Sequence, residues 1–226
     1  LKLKYGFNHR YHGSVQKTKD IIVKKDFGDI INFRGVYGKS SIVPFTGQWR
    51  SLKKYSGGGI LLDQGVHMLD MFIYFCGDFP EVKSFVSNKY WGYDVEDNAY
   101  ALLRDENGRV AMLHSSATQW QHSFRLEITF EEGFLELSGI LSGSKSYGQE
   151  KILIVPKQEE SVVGALFSKT TQYLNDTSWN DEITEFVDLI LNDTSVEQGN
   201  SNDALKVMKL INQIYNADEN WDNTEK

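Results

Sequence analysis

The sequence predicts an α+β fold, in which an open, mostly antiparallel sheet carries its helices on one face. Helical patterns at 14–25 and 60–75 flank one strand at 29–40. Apolar and polar side chains then alternate through several segments between residues 81 and 155, as in strands joined by short turns. Helical periodicity returns at 181–193 and 201–217. Helices that are segregated from a run of hairpins are typical of this class.

Each element has recognisable boundaries. The first helix begins at Ser14 and ends near Gly28, and the following strand has Ile31, Phe33 and Val36 as its apolar face. Residues 38–56 are predicted to form a long loop. The helix after the glycine run is apolar nearly all round its axis, so we expect it to be buried. For the last helix, Ser201 or Asn202 is the expected N-cap.

The stretch "GGGILLDQGVHMLD", residues 57–70, places Asp63, His67 and Asp70 at positions i, i+4 and i+7 of that helix. Such spacing puts the three side chains on one helix face. Buried charges require partners, so this face should line a polar cavity or join a hydrogen-bonded network. Imidazole is the side chain best suited to moving a proton near pH 7. A hydrogen-bonded core histidine beside a capping Asp63 and a metal site are the two other interpretations that the spacing leaves open.

The composition argues against several classes of function. The chain has 226 residues, 40% of them hydrophobic, a net charge of −7 and one cysteine, Cys76. The negative charge argues against binding to nucleic acid or anionic membranes, and no apolar run is long enough to span a membrane. A single cysteine excludes a disulfide framework and fits a cytoplasmic protein. The chain begins with "LKLKYGFNHRY" and has no initiator methionine, which we interpret as a piece of a longer protein.

Several segments together resemble one family. "GGGILLDQGVHMLD" is similar to the glycine run followed by Asp-x-x-x-His in the Gfo/Idh/MocA family of NAD(P)-dependent oxidoreductases. "GFNHRYHGSVQKTKDIIVKKDFGDIINFRG", "GQWR", "VEDNAYALLRDENGRVAMLHSS" and "LEITFEEGFLEL" resemble its other segments in the same order. The resemblance covers residues 5–140, and the helical tail 181–217 more loosely.

The resemblance implies that this chain is the family's C-terminal domain, which has a glyceraldehyde-3-phosphate dehydrogenase-like α+β fold. We expect one domain at 1–217 and a solvated tail at 218–226. The family's N-terminal Rossmann domain, which binds NAD or NADP, is missing, and no G-x-G-x-x-G follows a strand here. The family's Glu-Lys-Pro motif with its catalytic lysine would lie upstream of Leu1. The fragment itself is expected to hold no cofactor or metal and to be inactive.

The resemblance also assigns roles to residues. His67 is similar to the histidine that takes the hydroxyl proton of a secondary alcohol, and Asp63 to its acidic partner. Asp70 is expected to be structural. The remaining candidates are expected to contact a sugar, nucleotide sugar or polyol substrate; they are Asn8, Arg10, Trp49, Arg50 and Trp120. Arginine can clamp an anionic group, and aromatic faces suit the C–H surfaces of sugars.

Two further functions remain open at this point. The fold can serve as a non-catalytic module for oligomerisation or ligand binding, and a homo-oligomer through the sheet face is expected in either case. Alternatively, Asp63, His67 and Asp70 can act in a hydrolytic or metal enzyme.

Overall fold

The computed structural model describes residues 1–40, 49–140, 146–158 and 167–221. The helices are α1 (Gly13–Lys24), α2 (Lys53–Ser56), α3 (Val66–Cys76), α4 (Ser178–Leu191) and α5 (Ser201–Ala217). The strands are β1 (Ile30–Ser40), β2 (Glu81–Ser87), β3 (Asn98–Arg104), β4 (Val110–Gln119), β5 (Ser123–Phe130), β6 (Gly133–Ser138), β7 (Glu150–Pro156) and β8 (Lys169–Tyr173). Short 3-10 helices span Asn8–Tyr11 and Trp49–Ser51, and a π-helical turn spans Leu61–Gly65. None of the helices in these ranges is long and apolar enough to cross a membrane.

The eight described strands form one sheet in the order β2-β3-β4-β1-β5-β6-β7-β8. Only the β1–β4 pair is parallel, and the other neighbouring pairs are antiparallel. The prediction of a mostly antiparallel α+β sheet is therefore confirmed. Strand β8 was not predicted, because "KTTQY" lacks the apolar alternation that marks the other strands.

The core lies between the sheet and the helices α1, α3 and α5. Helix α3 crosses β1 at close range, because a Cβ on Gly35 would come within 2.8 Å of Met68 and Phe72. Met68 and Phe72 are themselves fully buried, as expected for a helix that is apolar on most sides. Tight contact between β1 and α3 thus fixes the helix that carries His67.

The opposite side of the sheet, which we term the outer face, has no helix of the described chain packed on it. Cross-strand pairs on this face include Phe85 with Tyr100 and Leu102 with Met112. All four side chains are exposed, Phe85 by 73% and Leu102 by 53%. Large apolar side chains grouped in this way mark interaction surfaces on soluble domains.

Several local predictions need correction. Ile31 is exposed, and Phe33 alone of the three predicted side chains on β1 is buried. A register shift between Ile30 and Asn32 reverses the side-chain alternation at the start of the strand, so Ile30 is buried instead. Sequence periodicity cannot reveal such a bulge.

The cap of α5 and the supposed loop also differ from the prediction. Asn200, one residue earlier than expected, is the N-cap, and its side-chain oxygen accepts hydrogen bonds from the backbone N–H groups of Asn202 and Asp203. Strand β1 ends at Ser40, as predicted, so the expected loop can begin only after it. Within that segment helical turns span Trp49–Ser51 and Lys53–Ser56, while residues 41–48 lie outside the described ranges.

Packing continues beyond residue 217. Asp218 is buried and its carboxylate accepts a hydrogen bond of 2.7 Å from the backbone N–H of Val86. Trp221 packs against the core. These contacts hold the start of the segment that was expected to be a solvated tail; residues 222–226 lie outside the described ranges.

Candidate functional site

The glycine run is held by a buried carboxylate. Glu96 accepts hydrogen bonds of 2.8 Å from the backbone N–H groups of Gly59 and Leu61 and from the Tyr215 hydroxyl. A Cβ on Gly59 would collide with the backbone carbonyl oxygen of Glu96. Gly57 has a φ of +78°, which glycine adopts without the steric cost that a side chain brings. The glycines therefore allow a turn that packs closely against Glu96, and this turn determines where the following helix begins.

A π-helical turn, Leu61–Gly65, follows this anchor and carries Asp63. Single π-turns of this kind often occur at functional sites, because the extra residue re-aims the side chains around it. Asp63 and His67, both within the described part of the chain, form neither a hydrogen bond nor an ion pair with each other. Asp63 lies in a π-helical turn and not in the predicted α-helix, although the two residues remain close enough for the carboxylate to affect the imidazole electrostatically.

Asp63 faces two cationic side chains. Its carboxylate lies 3.8 Å from the Lys39 ammonium and 3.6 Å from the Arg50 guanidinium. It also accepts a hydrogen bond of 3.2 Å from the side-chain amide of Gln64. All of these groups are partly exposed, so Asp63 lies at a polar, accessible edge of the site.

His67 lies deeper. Its ring stacks on that of His9, with centroids 4.1 Å apart and planes 13° from parallel. Burial lowers the pKa of His67 to about 4, an effect opposed by Asp63 and reinforced by His12. The Nδ1 atom is buried and has no hydrogen-bond partner among the described residues. His67 is thus a neutral imidazole at pH 7 with a carboxylate nearby, which is the state that a general base requires.

Tyr37 contacts both histidines of this pair, and Tyr147 and His122 extend the aromatic contacts from Tyr37. The Tyr37 hydroxyl lies 3.0 Å from His9 Nε2, and the Tyr37 ring packs edge-on against Tyr147. The Tyr147 hydroxyl donates to the Gln64 side chain at 3.3 Å, and His122 packs against the Tyr147 ring. Burial raises the pKa of Tyr37 and Tyr147, so both phenols keep their protons. A continuous polar and aromatic wall therefore joins Asp63 to His67.

The structure separates Asp70 from Asp63 and His67. Asp70 is fully buried, and its two carboxylate oxygens accept hydrogen bonds from the Arg10 guanidinium. Arg10 also donates to Asp203 at 2.7 Å. This arrangement joins the segment before α1 to α3 and α5, and it commits three of the five N–H donors of Arg10 to protein carboxylates.

The other candidates for substrate contact lie in two environments. Asn8 is buried, and its amide bonds with Ser178 and His9. Trp49 is 54% exposed with the Arg50 guanidinium over its ring, beside Asp63, and Trp120 is 74% exposed at the end of β4. Trp49, Arg50 and Asp63 thus come together at the accessible edge, whereas Asn8 and Arg10 lie beneath the site.

Sequence reasoning missed several participants. Glu150 on β7 holds buried His12 with a hydrogen bond of 3.0 Å, and no short-range spacing connects these two residues. Tyr37, Tyr147 and Glu96 come from distant strands and loops. The stacking of His9 on His67 depends on a contact between residues 58 positions apart in the chain. These contacts are set by the tertiary fold.

The described residues fit the part of a dehydrogenase site that deprotonates an alcohol better than they fit a dinucleotide-binding site. They supply a neutral imidazole and a carboxylate. Among them, no glycine-rich loop joins a strand to a helix, as a pyrophosphate-binding site requires. Within the same residues, no group of three or more His, Cys, Asp or Glu side chains is placed to hold a metal ion.

Comparison with known proteins gives a consistent result. Residues 15–136 match the family model for the Gfo/Idh/MocA C-terminal domain. The chain is 29% identical over 131 residues to D-glucoside 3-dehydrogenase of Escherichia coli, covering 50% of this chain and 37% of that protein. It is also 29% identical over 152 residues to levoglucosan dehydrogenase of Pseudarthrobacter phenanthrenivorans, covering 55% of this chain and 38% of that protein.

A solved structure is similar over nearly the whole chain. Levoglucosan dehydrogenase in complex with NADH and levoglucosan aligns with a TM-score of 0.79 and 20% identity, covering 95% of this chain and 64% of that one. At this level of identity the likeness establishes the fold. The chain spans less than two thirds of the proteins that it matches.

Proposed function

The chain belongs to the Gfo/Idh/MocA family, and we propose that it is the C-terminal domain of an NAD(P)-dependent oxidoreductase acting on a secondary alcohol of a sugar. The observation that carries this proposal is the buried, neutral His67, which lies near the Asp63 carboxylate in a wall of polar and aromatic side chains. The names of the relatives, a glucoside dehydrogenase and a levoglucosan dehydrogenase, support a sugar as the substrate class.

In this proposal His67 accepts the proton of the substrate hydroxyl. Its low pKa keeps the ring unprotonated before the reaction, and Asp63 stabilises the imidazolium that forms. The nicotinamide, when bound, supplies the hydride acceptor. The residues of this chain hold the hydroxyl in place, take its proton and exclude water around the reacting carbon.

Trp49, Arg50 and Trp120 are proposed to contact the sugar. Trp49 and Arg50 lie at the accessible edge beside Asp63, and Trp120 is exposed just after β4, so all three are available to a ligand. Asn8 and Arg10 are proposed to support the site from below, since their polar groups are occupied by protein partners. A nucleotide sugar or a polyol is an alternative substrate, and Arg50 could pair with the phosphate of a nucleotide sugar.

We propose that a Rossmann domain elsewhere in the parent protein covers α4. One side of this helix exposes large apolar residues at helical spacing: Trp179 by 61%, Ile183 by 56% and Val187 by 44%. Such a stripe on a surface helix favours contact with another apolar surface. The choice between NAD and NADP would be made in that domain. The cytoplasmic location stays a prediction that rests on the single cysteine.

The second candidate function is a non-catalytic oligomerisation or ligand-binding module of the same fold. The observation that favours it is the outer face, where Phe85, Tyr100, Leu102 and Met112 are exposed together. Assembly through this face is also proposed for the enzyme, so oligomerisation alone does not separate the two functions.

A turnover assay distinguishes the enzyme from the non-catalytic module. The full-length protein should be tested with NAD⁺ and NADP⁺ against alkyl glucosides, levoglucosan, free aldoses, polyols and a nucleotide sugar, with NAD(P)H absorbance as the readout. We expect reduction of one cofactor with at least one sugar, and none with residues 1–226 alone. If the folded full-length protein reduces neither cofactor across this panel, the non-catalytic module becomes the better account.

A further inference from the structure

A chain of side-chain hydrogen bonds runs from α4 to the site. The Ser178 hydroxyl donates to Asp176 at 2.7 Å, and the Asn8 amide donates to the Ser178 oxygen at 3.3 Å. The Asn8 oxygen lies 3.2 Å from His9 Nδ1, and His9 Nε2 lies 3.0 Å from the Tyr37 hydroxyl. Four contacts thus link five residues, and His9 is the member whose ring stacks on that of His67.

The direction of this chain follows from its first member. An ionised carboxylate can only accept, so the single proton of the Ser178 hydroxyl is directed to Asp176. Ser178 must then accept from the NH₂ group of Asn8, which turns the Asn8 oxygen towards His9. That oxygen requires a proton on His9 Nδ1. The unprotonated Nε2 in turn accepts the proton of the Tyr37 hydroxyl.

His9 is also enclosed. It is only 7% exposed, and its ring contacts those of His67, His12, Tyr37 and Phe124. The charged groups that interact with these rings include Glu150, which pairs with His12, and Asp63, which acts on His67 and Tyr37. Burial, followed by the neighbouring His67 and His12, lowers the pKa of His9 well below its ordinary value. Protonation of Nε2 would also break its hydrogen bond from Tyr37.

We propose that His9 is a positioning residue for His67: its neutral ring, held in the Nδ1–H tautomer by the chain from Asp176 to Tyr37, fixes the orientation of the His67 ring by stacking. Because both His9 nitrogens are engaged, the ring cannot turn without losing a hydrogen bond on each side. A proton that arrives at this pair of imidazoles therefore resides on His67. The role rests on the proposed function, whereas the tautomer does not.

The tautomer can be measured directly. In the full-length protein labelled with ¹⁵N-histidine, the two ring nitrogens of His9 give different shifts according to which of them carries the proton, and loss of a signal in His9→Gln assigns them. We expect a protonated Nδ1, an unprotonated Nε2 and a pKa below that of an ordinary histidine. A protonated Nε2, or the pKa of an ordinary histidine, overturns the proposal.

Kinetics test the positioning role. Tyr37→Phe keeps the ring contacts and removes the donor to His9 Nε2, so we expect kcat to fall about tenfold with KM within about twofold, because His67 is misoriented. Tyr11→Phe is the matched control. It removes another tyrosine hydroxyl that donates a single hydrogen bond, here to Glu185 at 2.6 Å, and we expect it to leave kcat unchanged.

These measurements distinguish failure of the positioning role from failure of the proposed function. An unchanged kcat in Tyr37→Phe, or an equal loss in both variants, overturns the positioning role even if the tautomer is as expected. If wild-type protein shows the Nδ1–H form of His9 but no dehydrogenase turnover, the hydrogen-bond chain stands and the proposed function fails, and the positioning role fails with it.

Discussion

Arg10 and Asp70 form a bidentate ion pair inside the protein, with N–O distances of 2.9 and 2.6 Å. Asp70 is fully buried, and Asp203 on α5 accepts a further hydrogen bond from the Arg10 guanidinium. Because Asp70 lies one helical turn after His67, this pair holds α3 against the segment that presents His9. The geometry on which catalysis is proposed to depend therefore rests on a charged group that does not face the site.

Removal of this guanidinium should destabilise the fold. Arg10→Ala leaves the Asp70 carboxylate buried without its partner, which we expect to lower the free energy of unfolding by about 3–5 kcal/mol. Urea denaturation measures the loss. Arg104→Ala, which breaks the exposed pair with Glu81, is the control and should cost no more than about 1 kcal/mol. Equal effects of the two variants would mean that the buried pair has no special role in stability.

Gly59 should not tolerate a side chain. In Gly59→Ala the new methyl group meets the Glu96 carbonyl, so either the glycine turn or the loop of Glu96 must shift. We expect a loss of about 2 kcal/mol or more in unfolding free energy, together with reduced turnover because the π-helical turn moves. Gly6→Ala is the control, since its Cβ would find no atom nearer than Glu182 at 4.0 Å. Wild-type stability in Gly59→Ala would refute the steric argument.

Stability should fall as the pH is lowered. Burial lowers the pKa of His67 from 6.5 to about 4, despite the opposing effect of Asp63. The unfolded chain therefore binds more protons than the folded one below pH 6.5, so the stabilising contribution is present above that pH and is lost towards pH 4. For His67 alone the loss from pH 7 to pH 5 is about 2 kcal/mol.

Urea unfolding at the two pH values checks this, with His67→Gln as the comparison. The variant should lose less stability than the wild type between them. The lowered pKa of His9 acts in the same direction, so a residual dependence is expected. Identical pH dependence in wild type and variant would show that His67 is not buried in its neutral form.

The outer face should mediate assembly. Leu102→Glu introduces a charge among apolar side chains on β2, β3 and β4, and we expect it to shift the protein to a smaller species in light scattering. Leu205→Glu on α5 is a matched control, because the two leucines are 51% and 53% exposed. An oligomer that survives the first variant, or dissociates in both, would exclude the outer face as the interface.

Local patterns predicted most of the fold. Alternation in β3, β5 and β6 and helical period in α5 arise because one side of each element is buried, and the nearly continuous apolar sequence of α3 arises because that helix is buried on most sides. Both patterns are visible in the sequence. The bulge near Ile31 and the polar strand β8 were missed because backbone register and pairing at a sheet edge depend on neighbouring strands.

The candidate site was predictable only in part. Asp63 and His67 stood out because charged and titratable groups are rare in an apolar helix. The π-helical turn that carries Asp63 was not visible. Asp70 has the structural role that was expected, but its partner Arg10 was predicted to contact substrate. The stacked His9, the Tyr37 hydroxyl and the Glu150 carboxylate come from distant segments, so no spacing rule could bring them together.

The central claim is that His67 is the base, and the most direct test is kcat of His67→Gln in the full-length protein, with His114→Gln on the outer face as the control. Glutamine retains hydrogen-bonding capacity but cannot take the proton. The account predicts that kcat falls by about 10²–10⁴ in His67→Gln, with the variant still folded by circular dichroism, and that His114→Gln keeps wild-type turnover. A folded His67→Gln protein with kcat within about threefold of wild type would contradict it, since a general base contributes far more than that.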